Sequence, residues 1–483
     1  TYEHREANYG AIRISLTKLG SDANWLHVCD NGIGMSKTVL TNFLLDFGRP
    51  FWGSKTMQEE FPGLLSSGIK QIGKYGIGFF AVFMVAEQVQ VITRRSDAAA
   101  KDTIVLEFSN GLKGRPILRL AEDPEQLIDA GTQIHLKLTT DPFVEGGLLY
   151  DPYSEEIRSL ADLCTELCPT LEVDLFLEEN GSSRKLITAG DWRTMDSADF
   201  LKRLPVSRHC DKKKVEKEIL KEIQRSAPNV RFLRNQEGNI IGRAFLSPGF
   251  HGTERSGFPL SGVVTIGGLE SCLLFGISGA LMGRPMRASR DVAQPLVDAT
   301  ELKRWAEEQA TLVPALYDNP KSQSVCAQYI RQCGGDTGDL PICINAGNWC
   351  SIAEIRSRID LPDQLVLLDD FTVEYEFSIL DSYTLNDNVF ITNTSSVSGM
   401  LQDNTCWPWR IDFTRRLSWE TTDIRMTLGG ALVEGIAQAW GVDVEILYKG
   451  NDRLLIHEEE VVVGSTGNRE LKASAILLNK PQS

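Results

Sequence analysis

Residues 73–80 read Gly-Lys-Tyr-Gly-Ile-Gly-Phe-Phe and run directly into the apolar stretch Ala81 to Val85. Glycines leave the backbone bare, and a glycine loop that opens a helix turns several amide N–H groups toward one point, with the positive end of the helix behind them. A polyphosphate suits such a point; a glycine-rich turn before a buried helix has the same sequence. Upstream, Asp30-Asn31-Gly32-Ile33-Gly34-Met35 closes the apolar run Trp25 to Cys29. Ile12, Ile14 and Leu16 alternate with polar neighbours, and Leu19 to Asn24 supplies turn residues. This predicts a β-hairpin that ends in a carboxylate followed by two glycines. By itself Asp-Asn-Gly is also what an ordinary turn contains. Between the two clusters, Thr38 to Ile72 mixes short helical patterns with Gly48, Gly53, Pro62, Gly63, Ser66, Ser67 and Gly68. It reads as a hinged segment able to close over a ligand, a lid.

Asp30–Met35, the lid-length gap, Gly73–Phe80, then Phe83-Met84-Val85-Ala86 with Val91-Ile92-Thr93, and finally Gly131-Thr132-Gln133-Ile134-His135-Leu136-Lys137-Leu138 follow one another in that order. The ordered set resembles the GHKL ATPases, the superfamily of gyrase, heat-shock protein 90, histidine kinases and the mismatch-repair ATPases, and looks most like the heat-shock protein 90 branch. The resemblance implies an ATP site. Asp30 would accept the adenine amino hydrogens with help from the Thr132 hydroxyl, and Gly32, Gly34 and Met35 would line the base, so adenine would be chosen over guanine. Gly73, Gly76 and Gly78, with Ile77 and Phe79 between and beside them, would form the phosphate turn. Lys74 stands where relatives commonly carry glutamine, a departure that would add a charge there. Asn42 lies at the lid base, where a polar residue often touches nucleotide.

In the same superfamily a helix carrying Glu and Asn, the general base and the magnesium ligand, precedes the Asp-x-Gly-x-Gly strand. Here Thr1 to Cys29 precede it, Glu3 and Glu6 have no asparagine four residues on, and the hairpin beginning near Tyr9 leaves no room for that helix. The expectation is that the base and the Mg2+ ligand lie upstream of Thr1, and that residues 1–483 alone hydrolyse little ATP.

Further along, Glu155 to Cys168 has helical apolar spacing, with Pro169 as a stop, and Glu172 to Leu177 alternates as a strand. This resembles the entry to the heat-shock protein 90 middle domain. Lys212 to Arg225 reads as a charged, solvated helix, docking of an acidic partner or nucleic acid being the other reading. Strand-like alternation from Gly262 to Ile277 leads to Gly283-Arg284-Pro285-Met286-Arg287-Ala288-Ser289-Arg290-Asp291-Val292-Ala293-Gln294. Its Ala-Ser-Arg-Asp core resembles the family's catalytic loop, which implies that Arg290 reaches the γ-phosphate and that Gln294 supports it. A guanidinium brought in from a second domain stabilises charge on the transferred phosphoryl group and couples hydrolysis to closure. The alternative is a basic loop whose three arginines pair with surface acids.

From about residue 317, Leu340 to Ile344 and Ser351 to Ile359 read as strand, turn and helix, and Thr427 to Trp440 as a second helix before strands Val442 to Leu447 and Leu454 to Val463. No resemblance to the chaperones' dimerising domain extends there. Trp407, Trp409 and Phe413 read as packing, with an exposed partner site as the alternative. The fold class expected is therefore a multidomain α+β protein. It has a GHKL (Bergerat) α/β sandwich over 1–148, a middle α/β domain over 149–316 and a small C-terminal α/β domain over 317–483 for dimerisation or partner sensing.

The net charge of −15 sets the surface against phosphate backbones, so nucleic acid is an unfavoured partner, and the longest apolar run, Gly76 to Ala86, is too short to span a bilayer. Ten cysteines without a Cys-x-x-Cys pair read as reduced structural thiols of a cytoplasmic protein. These include Cys164 and Cys168, one helical turn apart, and the loose group Cys326, Cys333, Cys343 and Cys350. The functional expectation is an ATP-driven, chaperone-like switch that binds ATP and ADP, acts on a client or regulatory protein and forms a homodimer. Two rivals stand beside it: a regulatory or defence ATPase governing an effector encoded upstream, and a DNA-clamp ATPase, which the acidic charge disfavours.

Overall fold

The computed structural model describes residues 10–19, 23–62, 73, 75–152, 154–204, 212–248, 262–394, 400, 407, 424–448 and 459–481. The chain is a multidomain α+β protein that packs into two compact units. The first comprises Thr1–Ile219, Val264–Cys272 and Met282–Pro295; the second comprises Leu220–Val263, Leu273–Leu281 and Leu296–Ser483.

The first unit is organised by an eight-stranded sheet. Its strands are β1 (Ala11–Leu19), β2 (Ala23–Asp30), β3 (Ala86–Arg94), β4 (Ile104–Leu112), β5 (Ile117–Leu120), β6 (Gly131–Leu138), β7 (Asp174–Glu179) and β8 (Ser182–Ile187). Their spatial order is β8-β7-β1-β2-β6-β3-β4-β5. The expected hairpin is β1 and β2, antiparallel with Ile12 opposite Asp30. Past residue 148 the sheet continues through β7, which lies parallel to β1 with Ile12 opposite Leu175.

Register decides what stands beside the end of β2. Strand β6 pairs antiparallel with both β2 and β3, placing Thr132 opposite Asp30 on one side and opposite Thr93 on the other. One layer of core joins Val89, Val91, Leu106, Phe108 and Leu136 of the sheet to Leu40, Phe79, Val82 and Phe83. A second joins Leu175, Leu177 and Ile187 to Leu160, Cys164 and Cys168, so the two cysteines one turn apart are buried packing. The eight described cysteines are all free, and seven of them are buried.

Several elements differ from the sequence reading. The glycine loop leads into a 3₁₀ helix, Gly78–Met84, with no buried residue and no side-chain cap at Ile77. Met84 is 85% exposed there. The apolar run is divided: Phe79, Val82 and Phe83 face the core while Ala81 and Met84 face outward. The helix expected from Glu155 begins at Leu160, because the Ser159 hydroxyl accepts the Asp162 amide as its cap and Glu155 itself has a positive φ of 56°. The lid region holds the turn Lys37–Val39 continuing through Leu40–Leu44, and the helix Lys55–Glu60 capped by Ser54; residues 63–72 of the expected lid lie outside the described residues.

The second unit contains helices Ala299–Leu316 and Pro320–Gln332 and a seven-stranded sheet. At its centre Gln364–Asp369 pairs parallel with Val389–Thr392 and antiparallel with Arg469–Asn479. Helix Leu428–Trp440 forms as expected, capped by Thr427. The strand expected over Val442 to Leu447 is instead a helix, Val444–Tyr448. Gly441 ends the preceding helix in the left-handed region at φ +67°, and the Asp443 carboxylate accepts the Glu445 amide at 3.0 Å, which starts a new turn. Trp407 is buried, in keeping with packing; Trp409 and Phe413 lie outside the described residues.

Candidate nucleotide site

Strand β2 ends at Asp30, and the chain turns at once. The Gly32 amide donates to Asp30 Oδ1 at 2.8 Å, and the Thr132 amide donates to the same carboxylate. Asp30 is exposed by surface area and lines a cavity, where the surrounding protein still thins the water around its carboxylate. Loss of water raises its pKa, with the two amide bonds opposing the rise. Next to it, the Thr93 hydroxyl is fully buried. It accepts the Met35 amide at 2.9 Å, donates to the Gly131 carbonyl at 3.0 Å and lies 3.1 Å from Thr132 Oγ1. Sequence reasoning gave Thr93 no role of its own; its signal is a hydroxyl directly after Val91-Ile92, at the end of the strand-like stretch from Val89.

The glycines of the first motif are needed for close backbone approach. Gly34 has φ +68°, and a Cβ there would lie 2.0 Å from the Arg94 carbonyl oxygen. In the second motif Gly76 has φ +67°, with a hypothetical Cβ 2.5 Å from the Arg49 carbonyl carbon, and its carbonyl accepts the Gly48 amide at 3.3 Å. Trp52 packs on Gly73, 2.8 Å from where a Cβ would stand, whereas Gly78 faces open space. Gly48 and Arg49 therefore lie backbone-to-backbone against Gly76, and the Trp52 ring lies against Gly73. Sequence reasoning assigned Arg49 and Trp52 no part: Arg49 meets Gly76 through backbone, which leaves no mark in side-chain pattern, and the Trp52 ring meets Gly73 across a gap of twenty residues that no local spacing announces.

A cavity of about 650 Å³ joins these pieces. Of the residues expected from sequence, Asp30, Gly32, Gly34, Met35, Gly73, Gly76, Gly78, Phe79 and Thr132 line it. Arg290 lines it too, from the hairpin that pairs Gly283–Pro285 with Ala293–Pro295 within the same unit. Phe43, Arg49, Phe51, Trp52 and Phe61 add a largely aromatic wall. Other expected residues stand elsewhere. Asn42 is exposed and its Oδ1 accepts the Thr41 hydroxyl. Ile77 is not among the lining residues; its carbonyl accepts the Phe80 amide. Gln294 accepts from the Arg284 guanidinium, Nε at 3.1 Å and Nη2 at 2.5 Å. Lys74, Glu3 and Glu6 lie outside the described residues.

The volume falls within the range of small-molecule sites. A carboxylate, bare glycine backbone and a guanidinium on the walls of one cavity fit an amino-bearing base joined to a polyphosphate. The family model described as histidine kinase-, DNA gyrase B-, and HSP90-like ATPase matches residues 5–134. The chain carries a GHKL ATPase domain. The chain is also similar to chaperone proteins HtpG. It is 33% identical to that of Alkalilimnicola ehrlichii over 127 residues, 26% of this chain and 18% of the relative. It is 36% identical to that of Anaplasma phagocytophilum over 177 residues, 36% and 24% of the two chains. With that of Idiomarina loihiensis it shares 28% identity over 197 residues, 39% and 28%. The chain thus spans under a third of the length of these relatives.

A magnesium ion accompanies the nucleotide in the family reading. Among the described residues no group of three His, Cys, Asp or Glu side chains stands together as a metal site. Among them, too, no helix is long and apolar enough to cross a membrane.

Proposed function

We propose that this chain is the switch part of a heat-shock protein 90-like ATPase, binding ATP and ADP in the cavity beside Asp30 and using Arg290 in hydrolysis. The observation that carries the reading is that Asp30, the two glycine clusters and Arg290, far apart in sequence, line one cavity. When bound, ATP supplies the phosphoryl group and its leaving diphosphate. Asp30 accepts hydrogens of the base and fixes its orientation; the bare backbone at Gly73, Gly76 and Gly78 admits the phosphates closely; the Arg290 guanidinium offsets charge on the γ-phosphate. Residues 149–316 act as a middle domain and 317–483 as a region for dimerisation or partner sensing, with a client or regulatory protein as the output and the cytoplasm as its place. Calorimetric titration of the chain with ATP tests the first step. Micromolar to millimolar binding that Asp30→Asn removes supports the reading, and a folded chain that binds no adenine nucleotide overturns it.

A further inference from the structure

The Thr93 hydroxyl has three neighbours and one proton. A carbonyl oxygen can only accept, so the 3.0 Å contact to Gly131 uses the Thr93 proton, and the 2.9 Å contact from the Met35 amide uses a lone pair. The remaining contact, 3.1 Å to Thr132 Oγ1, is then made with the Thr132 proton. We infer that Thr93 is a positioning residue that sets the polarity of the site: it takes the Thr132 proton and leaves Thr132 an acceptor toward the cavity.

This inference rests on the reading of the cavity as a purine-nucleotide site and says which purines it takes. Asp30 alone separates them poorly, because a carboxylate accepts the 6-amino group of adenine and equally the N1–H of a 6-keto purine. Thr132 separates them. It stands opposite Asp30 in the β2–β6 register, and both line the cavity. As an acceptor it faces the second amino hydrogen, or a water that donates to it, without conflict. Against a 6-keto oxygen it sets lone pair against lone pair, and a site that leaves buried polar groups mismatched rejects the ligand. Were Thr132 free to rotate, it could donate to the keto oxygen and the preference would fade. Thr93 is 0% exposed and touches no cavity surface, so it acts only through its neighbour.

The test is calorimetric titration of the full chain, as Thr93→Val, Thr93→Ser and parent, with ATP and with inosine triphosphate. The parent is expected to prefer ATP. Thr93→Val should lower the ATP-to-inosine preference about 5–10-fold, the scale of one hydrogen bond, and Thr93→Ser should keep it. A lower melting temperature for Thr93→Val with an unchanged preference means that the hydroxyl is merely structural and overturns the inference alone. A folded parent that binds neither nucleotide overturns the purine-site reading and this inference with it. Should Thr93→Val not fold, Thr132→Val decides: weaker ATP binding with inosine triphosphate unchanged or improved marks Thr132 as an acceptor, and a larger loss for inosine triphosphate marks it as a donor and overturns the inference.

Discussion

Asp30 Oδ1 accepts the amide of Gly32 at 2.8 Å, so the carboxylate at the end of β2 is held by the glycine of its own motif. A side chain at residue 32 would put its Cβ 2.8 Å from that oxygen, which ties the glycine to the orientation of the acid as well as to ligand approach. Asp30→Asn replaces an acceptor that receives two amides by a group one half of which donates. Adenine-nucleotide affinity is expected to fall by about 100-fold or more, since bonds to a charged acceptor contribute roughly 1.5–3 kcal/mol each. Calorimetry on the folded variant checks this, and unchanged affinity refutes the role of Asp30. Because burial raises the Asp30 pKa, affinity should also weaken toward acid as the carboxylate gains its proton.

Gly34→Ala is expected to damage the fold itself. The residue has φ +68°, where a Cβ costs about 1–2 kcal/mol, and that Cβ would meet the Arg94 carbonyl at 2.0 Å. A total of about 3 kcal/mol or more is expected, read as a lower denaturant midpoint. Gly78→Ala meets nothing within 4 Å and should leave the midpoint within about 0.5 kcal/mol of the parent.

The sheet carries a pair of histidines, His27 Nδ1 and His135 Nδ1, 2.6 Å apart, with the Thr17 hydroxyl 2.7 Å from His27 Nε2. Burial pushes the pKa of both below 6.5, His135 to about 4, and the neighbouring His27 adds to the fall at His135. The folded chain therefore binds fewer protons than the unfolded chain between about pH 4 and 6.5. Stability should rise with pH through that window and be lost as pH falls through it. Both rings keep some contact with solvent, so about 1–2 kcal/mol is expected rather than the full shift. Melting temperatures at pH 5 and pH 7.5 should differ less in His135→Gln than in the parent; an equal difference rules the pair out as the cause.

What the sequence disclosed follows from which contacts leave a trace in residue type. Asp30 and the glycines were legible because a carboxylate at a strand end and bare backbone have chemical signatures, and the hairpin before them because alternation has a period of two, whereas Thr132 was picked out only through the family resemblance. Thr93 escaped, since its importance comes from register: only the pairing of β3 and β2 with β6 brings residues 93, 132 and 30 side by side. Arg49 escaped because it meets Gly76 through backbone packing, and Trp52 because its ring reaches Gly73 only in the folded chain. In the second unit, Val442 to Leu447 read as a strand from its apolar residues, while the helix there is set by Gly441 and Asp443 at its boundary.

The three arginines of the loop from Gly283 to Gln294 are not equivalent. Arg284 is tied to Gln294, whereas Arg290 lines the cavity and has a positive φ of 60°, its amide donating to the Arg287 carbonyl at 3.2 Å and its own carbonyl accepting the Ser271 hydroxyl. A non-glycine residue in that region carries a strain of about 1–2 kcal/mol, and the surrounding bonds hold it there. If the guanidinium acts on the γ-phosphate, Arg290→Ala in the full-length protein should leave ATP affinity near the parent value while turnover falls by about 10³. Arg290→Gly adds a second reading: it relieves the backbone, so it should melt no lower than Arg290→Ala and still turn over as slowly. Arg284→Ala and Arg287→Ala remove exposed cations, and each should shift stability by about 1 kcal/mol or less without a comparable loss of rate. A basic loop that is only structural gives similar small losses for all three arginines. Folded variants that all hydrolyse ATP near the parent rate would therefore remove Arg290 from the chemistry and leave its φ as a feature of the turn alone.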